Sequence, residues 1–214
     1  MKMKKLALGI SVLTLSIGLV GCKATDSVAK YGVETFTAMT EKNNVYSNDK
    51  DNSWVIEAPD KTKFSMSKDF SNSTDFVIAM DAKPFISSGL DVSKLPKSYV
   101  YNDKDKTISI DSNIGDTKFE GNKATSVDTL NDIVDNHRDI LGYHTKLKHY
   151  GLDLDNGNKF EWADDMATND KDIVYVLNPE PFIKAGVDPN KIDGWAYAKV
   201  EEDYKLLKPF DIVK

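Results

Sequence analysis

The second half of this chain repeats the first, and that repetition restricts its fold more than any other feature of the sequence. Residues 75–94 align with residues 172–191 at a constant offset of 97. Eight residue pairs are identical across these segments: Asp75/Asp172, Val77/Val174, Pro84/Pro181, Phe85/Phe182, Ile86/Ile183, Gly89/Gly186, Asp91/Asp188 and Lys94/Lys191. Upstream, Phe64 aligns with Phe160 at an offset of 96. The repeat predicts one structural unit in two tandem copies.

The repeat also predicts where the chain divides. We place the first unit at residues 22–115, a polar linker at 116–121 and the second unit at 122–214. Without residues 1–21, a total of 193 of the 214 residues remain, which suits one large domain or two small ones.

Each copy opens with apolar residues at helical spacing. In the first copy they run from Val28 to Met39, and in the second from Val127 to Leu141. Thr125 is placed to accept a hydrogen bond from the first turn of the second helix. We therefore predict a helix at the start of each unit.

Strand patterns and one further short helix follow in each copy. Asn156-Gly157 is a signal for a tight hairpin turn between two strands. The Pro-Phe-Ile-x-x-Gly segments at 84–89 and 181–186 predict a helix of one to two turns, because proline suits the first turn and glycine the end. A helix followed by mostly antiparallel strands predicts the α+β class, with the helix on one face of the sheet.

Two such units in tandem are expected to lie side by side and to present a broad sheet surface. In architecture this resembles the β-lactamase inhibitor protein, which is also a tandem repeat of a helix-plus-sheet unit. No diagnostic motif of that family is present, and its disulfides are missing because this chain has a single cysteine. The resemblance therefore implies no site residues.

The amino terminus carries the pattern of an export signal. Three lysines fall within the first five residues, and the apolar run at 6–20 is too short for a permanent membrane span. The run ends in Leu19, Val20, Gly21 and Cys22, which resembles the lipobox of bacterial lipoproteins. The resemblance implies cleavage before Cys22, acyl chains such as palmitate on that residue, and attachment to the extracytoplasmic face of the cell membrane.

Charge excludes some partners. After removal of residues 1–21 the chain has 25 basic and 34 acidic residues, a formal charge of −9. This balance argues against a nucleic-acid partner and against a polybasic membrane-docking surface. We expect lipid on Cys22 to supply the membrane contact. A lipidated Cys22 also excludes thiol chemistry, because it is the only cysteine.

The chemistry-bearing residues do not assemble into a known catalytic or metal motif. The sequence has no nucleophile elbow, no His-Glu-x-x-His and no glycine-rich phosphate loop. His137 and His144 are seven residues apart, but the neighbouring acidic residues do not complete a zinc motif. The segment 153–161 departs from the ligand spacing of an EF-hand. We predict no enzyme activity, no cofactor and no metal.

Aromatic residues in the predicted strands supply the remaining functional signal. An exposed row of them would be a platform of the kind found in interfaces, whereas the alternative is ordinary core packing. The candidate binding face contains Trp195, Tyr197, Tyr175, Trp162, Tyr99 and Tyr101. The predicted function is a non-catalytic binding or structural lipoprotein that recognises an envelope protein or peptide through a sheet face. The alternative is a solute- or metal-binding lipoprotein that serves a transporter.

Overall fold

The computed structural model describes residues 21–70, 74–114, 123–165 and 172–210. Most of the predicted signal segment and the predicted linker at 116–121 lie outside the described residues, and side chains are described from Asp26 onward. In this part of the chain, no helix combines the length and apolarity needed to cross a membrane.

The first unit contains two helices and six strands. Their bounds are α1 Gly21–Lys42, β1 Asn44–Asn48, β2 Ser53–Glu57, β3 Lys63–Ser67, β4 Phe76–Asp81, α2 Lys83–Ser87, β5 Tyr99–Asn102 and β6 Thr107–Ser112. The strands form one antiparallel sheet in the order β1-β2-β3-β4-β6-β5.

The second unit repeats this order. Its elements are α3 Ser126–Asn136, β7 Leu141–His144, β8 His149–Asp153, β9 Lys159–Ala163, β10 Ile173–Leu177, α4 Glu180–Lys184, β11 Ala196–Val200 and β12 Asp203–Phe210. The sheet order β7-β8-β9-β10-β12-β11 matches that of the first unit strand for strand, and every pairing is antiparallel. The predicted α+β class with two tandem units is confirmed.

Local sequence signals form the structures expected of them. The Thr125 hydroxyl accepts from the Asp128 backbone N–H at 3.1 Å and caps α3. Asn156 and Gly157 both have positive φ, 58° and 74°, as a type I′ hairpin turn requires. Pro84 and Pro181 lie in the first turns of α2 and α4.

The end of α3 and two edge strands differ from the sequence-based expectation. Helix α3 ends at Asn136 because His137 leaves the helical region, with φ −136° and ψ 69°. A 3₁₀ turn at Arg138–Ile140 follows, so Leu141 lies in strand β7. Strands β1 and β7 were not predicted, since each is a short edge strand with few apolar residues.

Helices α1 and α3 are each hydrogen-bonded to the sheet of the other unit. Helix α1 packs on β7, β8 and β9 of the second sheet. The Trp162 indole N–H donates to the Thr35 hydroxyl of α1 at 3.0 Å. In the opposite direction, the Trp54 indole N–H donates to the Thr129 hydroxyl of α3 at 3.0 Å. Helical periodicity shows that a helix has an apolar face, but it does not show which sheet covers that face.

Equivalent residues of the two units meet at their interface. The rings of Phe64 and Phe160 are stacked, with centroids 4.3 Å apart and planes 3° apart. The centroids of Phe85 and Phe182 are 4.6 Å apart. All four side chains are fully buried, and they belong to one hydrophobic core that includes residues of both units.

Backbone hydrogen bonds at this interface are reciprocal. The Asp91 N–H donates to the Ala185 carbonyl at 2.8 Å, and the Asp188 N–H donates to the Ser88 carbonyl at 2.8 Å. Asp91 and Ser88 are the sequence equivalents of Asp188 and Ala185. The two units are therefore related by a local two-fold axis.

The second sheet curls so that its two edges approach each other. All five residues of β10 are buried, whereas burial in β4 alternates along the strand. In addition, Glu201 in the β11–β12 turn lies 3.2 Å from His144 in β7, although β11 and β7 are opposite edge strands. The β11–β12 hairpin thus approaches the outward face of β7–β9.

The buried carboxyl group of Asp75 is expected to make the stability of the fold depend on pH. Its side chain is 1% exposed and accepts from the Ile114 N–H at 2.7 Å, and burial raises its pKa. A raised pKa in the folded state means that protonation favours folding, so stability from this group increases as pH falls. We expect wild type to gain stability relative to Asp75→Asn when pH is lowered from about 7 to about 4. Urea unfolding of both proteins across this range measures the difference, and a constant difference would contradict it.

Candidate functional site

Four of the six predicted binding-face aromatics are in the core. The exposed fractions are 0% for Trp162 and Tyr175, 5% for Tyr99 and 8% for Trp195. These four side chains therefore do not form an exposed row. Tyr101 and Tyr197 are half-buried at the surface.

These side chains are buried because they pack against other aromatic residues of the core. Trp162 packs edge-on against Phe36 of α1, with centroids 5.2 Å apart. Trp195 packs edge-on against Phe85 across the interface, at 5.5 Å. Burial also raises the pKa of Tyr175, which keeps its hydroxyl protonated. Core packing is therefore the role of these residues.

One aromatic pair remains accessible on the second sheet. The rings of Tyr197 and Tyr204 are stacked with centroids 4.8 Å apart, and Tyr204 is 52% exposed. On the first sheet, the Tyr101 hydroxyl donates to the Asp103 carboxylate at 3.1 Å. These are small patches and do not form a continuous platform.

The outward face of β7–β9 contains a polar cleft that the sequence analysis did not predict. Its volume is about 220 Å³. We call it the outer cleft, and it is lined by Gly142, Tyr143, His144, His149, Gly151, Asp153, Lys159, Glu161 and Glu201.

Two glycines form the floor of the outer cleft. Gly142 of β7 lies opposite Gly151 of β8 in the strand register. The equivalent positions in the first unit are Tyr46 and Val55, which also lie opposite each other. There the Tyr46 hydroxyl donates to the Glu57 carboxylate at 3.1 Å, so a side chain covers the sheet. The fold therefore does not require a cleft, and the second unit has one because two side chains are missing.

These glycines provide space, not unusual backbone conformations, since neither has a positive φ. A Cβ atom on Gly151 would be 2.8 Å from Cγ of Glu161, so the glycine allows Glu161 to lie across the strand. A Cβ atom on Gly142 would have Asp153 Oδ2 as its nearest neighbour, at an ordinary 3.7 Å. A side chain larger than alanine at position 142 would extend into the cleft.

A buried imidazole–carboxylate pair lies beside this floor. His149 Nδ1 is 3.3 Å from Glu161 Oε2, and the two residues are 9% and 5% exposed. The equivalent positions in the first unit are Ser53 and Ser65. A buried charge is costly unless it is paired, so Glu161 depends on His149 for its stability in this position.

The second imidazole is held in one tautomer. The Leu147 backbone N–H donates to His144 Nδ1 at 3.1 Å, so this nitrogen has no proton. The other ring nitrogen, Nε2, faces Glu201 of the β11–β12 turn. That nitrogen lies 3.2 Å from Glu201 Oε1, although the angles do not make a hydrogen bond.

A lysine–carboxylate ion pair lies beside the cleft and has an equivalent in the first unit. Lys159 Nζ lies 2.5 Å from Asp153 Oδ1, and the equivalent Lys63 Nζ lies 3.5 Å from Glu57 Oε2. This pair is explained by the shared fold. The outer cleft therefore combines the three carboxylates of Asp153, Glu161 and Glu201 with one ammonium group and two imidazoles.

The lining lacks the common hydroxyl and thiol nucleophiles. None of the nine lining residues is a serine, threonine or cysteine. The Tyr143 hydroxyl donates to Asp164 Oδ2 at 2.6 Å, and this hydrogen bond raises its pKa to about 12. The hydroxyl therefore stays protonated and does not act as a base near neutral pH.

The histidines are not brought together into a metal centre. His137 lines a separate cleft with Asp139 and Asp155, whereas His144 and His149 line the outer cleft. Among the described residues, no three His, Cys, Asp or Glu side chains are placed to hold one metal ion.

The sequence contained a signal for the outer cleft in the positions where the two copies differ. Reading that signal requires the alignment of β1 with β7, and these two strands were not predicted.

Comparison of the chain with protein-family models, curated proteins and solved structures finds no match.

Proposed function

We propose that this chain is a lipid-anchored, extracytoplasmic binding lipoprotein without catalytic activity, which recognises an envelope component through the outward face of its second sheet. The observation that carries the anchor is the sequence from Leu19 to Cys22, after a basic start and an apolar run at 6–20. The observation that carries recognition is the outer cleft, which the second unit has in place of Tyr46 and Val55.

Helix α1 supports a short connection between anchor and body. It begins at Gly21, so the proposed lipidated residue is in its first turn. Val28 is the first described residue of α1 that packs against the core. Val28 is six positions after Cys22, which corresponds to about 9 Å of helix. An ion pair between Asp26 and Arg138 joins this end of the helix to the second unit. We infer that the body lies close to the lipid headgroups.

The anchor is tested by Cys22→Ala in the full-length chain expressed in a bacterial host. We expect wild type to fractionate with membranes and with the detergent phase, and its amino-terminal peptide to carry acyl chains by mass spectrometry. Cys22→Ala should remain unacylated, because it lacks the thiol to which lipid is attached. Thr25→Ala is the matched control and should behave as wild type. Acylated Cys22→Ala protein, or wild type without acyl chains, would contradict the proposal.

The alternative is a solute-binding lipoprotein that delivers its ligand to a transporter. The cleft volume of about 220 Å³ favours it, because this volume suits a small solute better than a protein segment. A complex between the loaded protein and a membrane transporter, detected by crosslinking in the native envelope, would favour this alternative over recognition of a fixed envelope component.

A further inference from the structure

The charges of the outer cleft identify the class of ligand that fits it. Asp153, Glu161 and Glu201 contribute carboxylates, while Lys159 is the only lining residue with a permanent positive charge. The lining carboxylates therefore outnumber the permanent positive charge by three to one, which favours a cation.

An anion is a poor ligand for the same reasons. Lys159 is already paired with Asp153 at 2.5 Å, so its charge is used within the protein. An anionic ligand would have to compete with that carboxylate and would lie near Glu161 and Glu201. The negative charges of the ligand and of these carboxylates would repel each other within the cleft.

Among cations, an amine fits better than a metal ion. The described part of the chain does not bring three metal-ligating side chains together, so one ion would lack enough ligands. An ammonium group carries three N–H donors and is satisfied by separate carboxylate oxygens. Glu161 faces His149 through Oε2, and a carboxylate has two oxygens that each accept hydrogen bonds, so this pairing does not use up its capacity. Hydrogen bonds between ionised partners are also stronger than neutral ones.

The size and position of the cleft restrict the ligand further. Its volume of about 220 Å³ is below the range of sites that hold drug-sized molecules, so the ligand is small. The carboxylate of Glu161 is specific to the second unit, because its equivalent in the first unit is Ser65. Glu161 is therefore an acceptor that the shared fold does not explain.

We propose that the outer cleft binds a small organic molecule through a protonated primary amine, which donates to the carboxylates of Glu161 and Glu201. This inference rests on the proposed binding function of the cleft. The open space over Gly142 accommodates the carbon chain of the ligand, where Tyr46 covers the equivalent position in the first unit.

The test uses three probes with the same four-carbon chain: putrescine, butanediol and succinate. Isothermal titration calorimetry with the full-length protein in detergent micelles measures their binding near neutral pH. We expect putrescine to bind and the neutral and anionic probes to bind more weakly by about tenfold or more, because they lack the ionised donor.

Variants locate the binding in the cleft. Gly142→Tyr introduces the residue of the first unit and should abolish putrescine binding by filling the space. Glu161→Gln and Glu201→Gln should each weaken it by about 10- to 100-fold, the usual effect of losing a hydrogen bond to a charged group. Glu202→Gln is the matched control, since Glu202 lies in the same turn but does not line the cleft. Circular dichroism checks that each variant is folded.

The outcomes separate this inference from the proposed function. Absence of putrescine binding to wild type, or binding that Gly142→Tyr leaves unchanged, would overturn the amine site. Tighter binding of succinate or butanediol that is lost in Gly142→Tyr would also overturn it, but would keep a binding function for the cleft. The anchor is judged independently, by acylation of Cys22.

Discussion

Replacing Gly89 with alanine is expected to lower the free energy of unfolding by about 2–4 kcal/mol. Gly89 has a φ of 105°, a conformation that strains any residue with a side chain. A Cβ atom there would also be 2.7 Å from the carbonyl oxygen of Gly186 in the other unit. That neighbour is backbone and cannot rotate away, so the interface between the two units must open.

Gly142→Ala is the matched control for this prediction. Gly142 has no positive φ, and the nearest atom to an added Cβ is 3.7 Å away. We expect its effect to stay within about 1 kcal/mol, because strand interiors tolerate alanine at such positions. Urea unfolding followed by tryptophan fluorescence measures both. Equal stability losses in the two variants would show that close approach at the two-fold axis is not important.

Phe160→Ala is expected to be the most damaging substitution in the core, with a loss of about 3–5 kcal/mol. Its ring is fully buried and stacks on Phe64 at 4.3 Å, and it also contacts Trp162 and Tyr175. The substitution removes apolar burial and leaves a cavity where the two sheets meet. The same unfolding experiment measures the loss.

Two further variants make this result specific. Tyr204→Ala removes an aromatic ring that is 52% exposed, and should change stability by less than about 1 kcal/mol. Phe64→Ala combined with Phe160→Ala should cost less than the sum of the single substitutions, since residues in contact are not additive. Additive effects would contradict a direct contribution from the stacked pair.

The sequence predicted much of the local structure because the signals for it are local. Thr125 caps a helix through its own side chain, and Asn156-Gly157 turns the chain through its own backbone conformation. The repeat carried these signals from one unit to the other, which gave the correct fold class. The short edge strands β1 and β7 lack such signals and were missed.

The site depended on long-range information that the sequence did not show directly. Trp162 and Tyr175 are of residue types that are common in interfaces, but both are buried in the core. The residue type alone does not distinguish an interface position from a core position. The outer cleft results from absent side chains at Gly142 and Gly151 and from a curled sheet that brings Glu201 to His144. A motif search does not detect a cleft that exists because larger side chains are absent.

The exchange of helices between units has a consequence for the order in which this protein is made and folds. Thr35 and the tryptophan that binds it, Trp162, are 127 residues apart in the chain. Helix α1 is synthesised first, yet Trp162, which packs against Phe36 of that helix, follows 126 residues later. Contacts of such separation form slowly, because the intervening chain must be ordered first. The amino-terminal half is thus left with an uncovered apolar helix face until the carboxy-terminal half is synthesised, which makes it a natural target for chaperones.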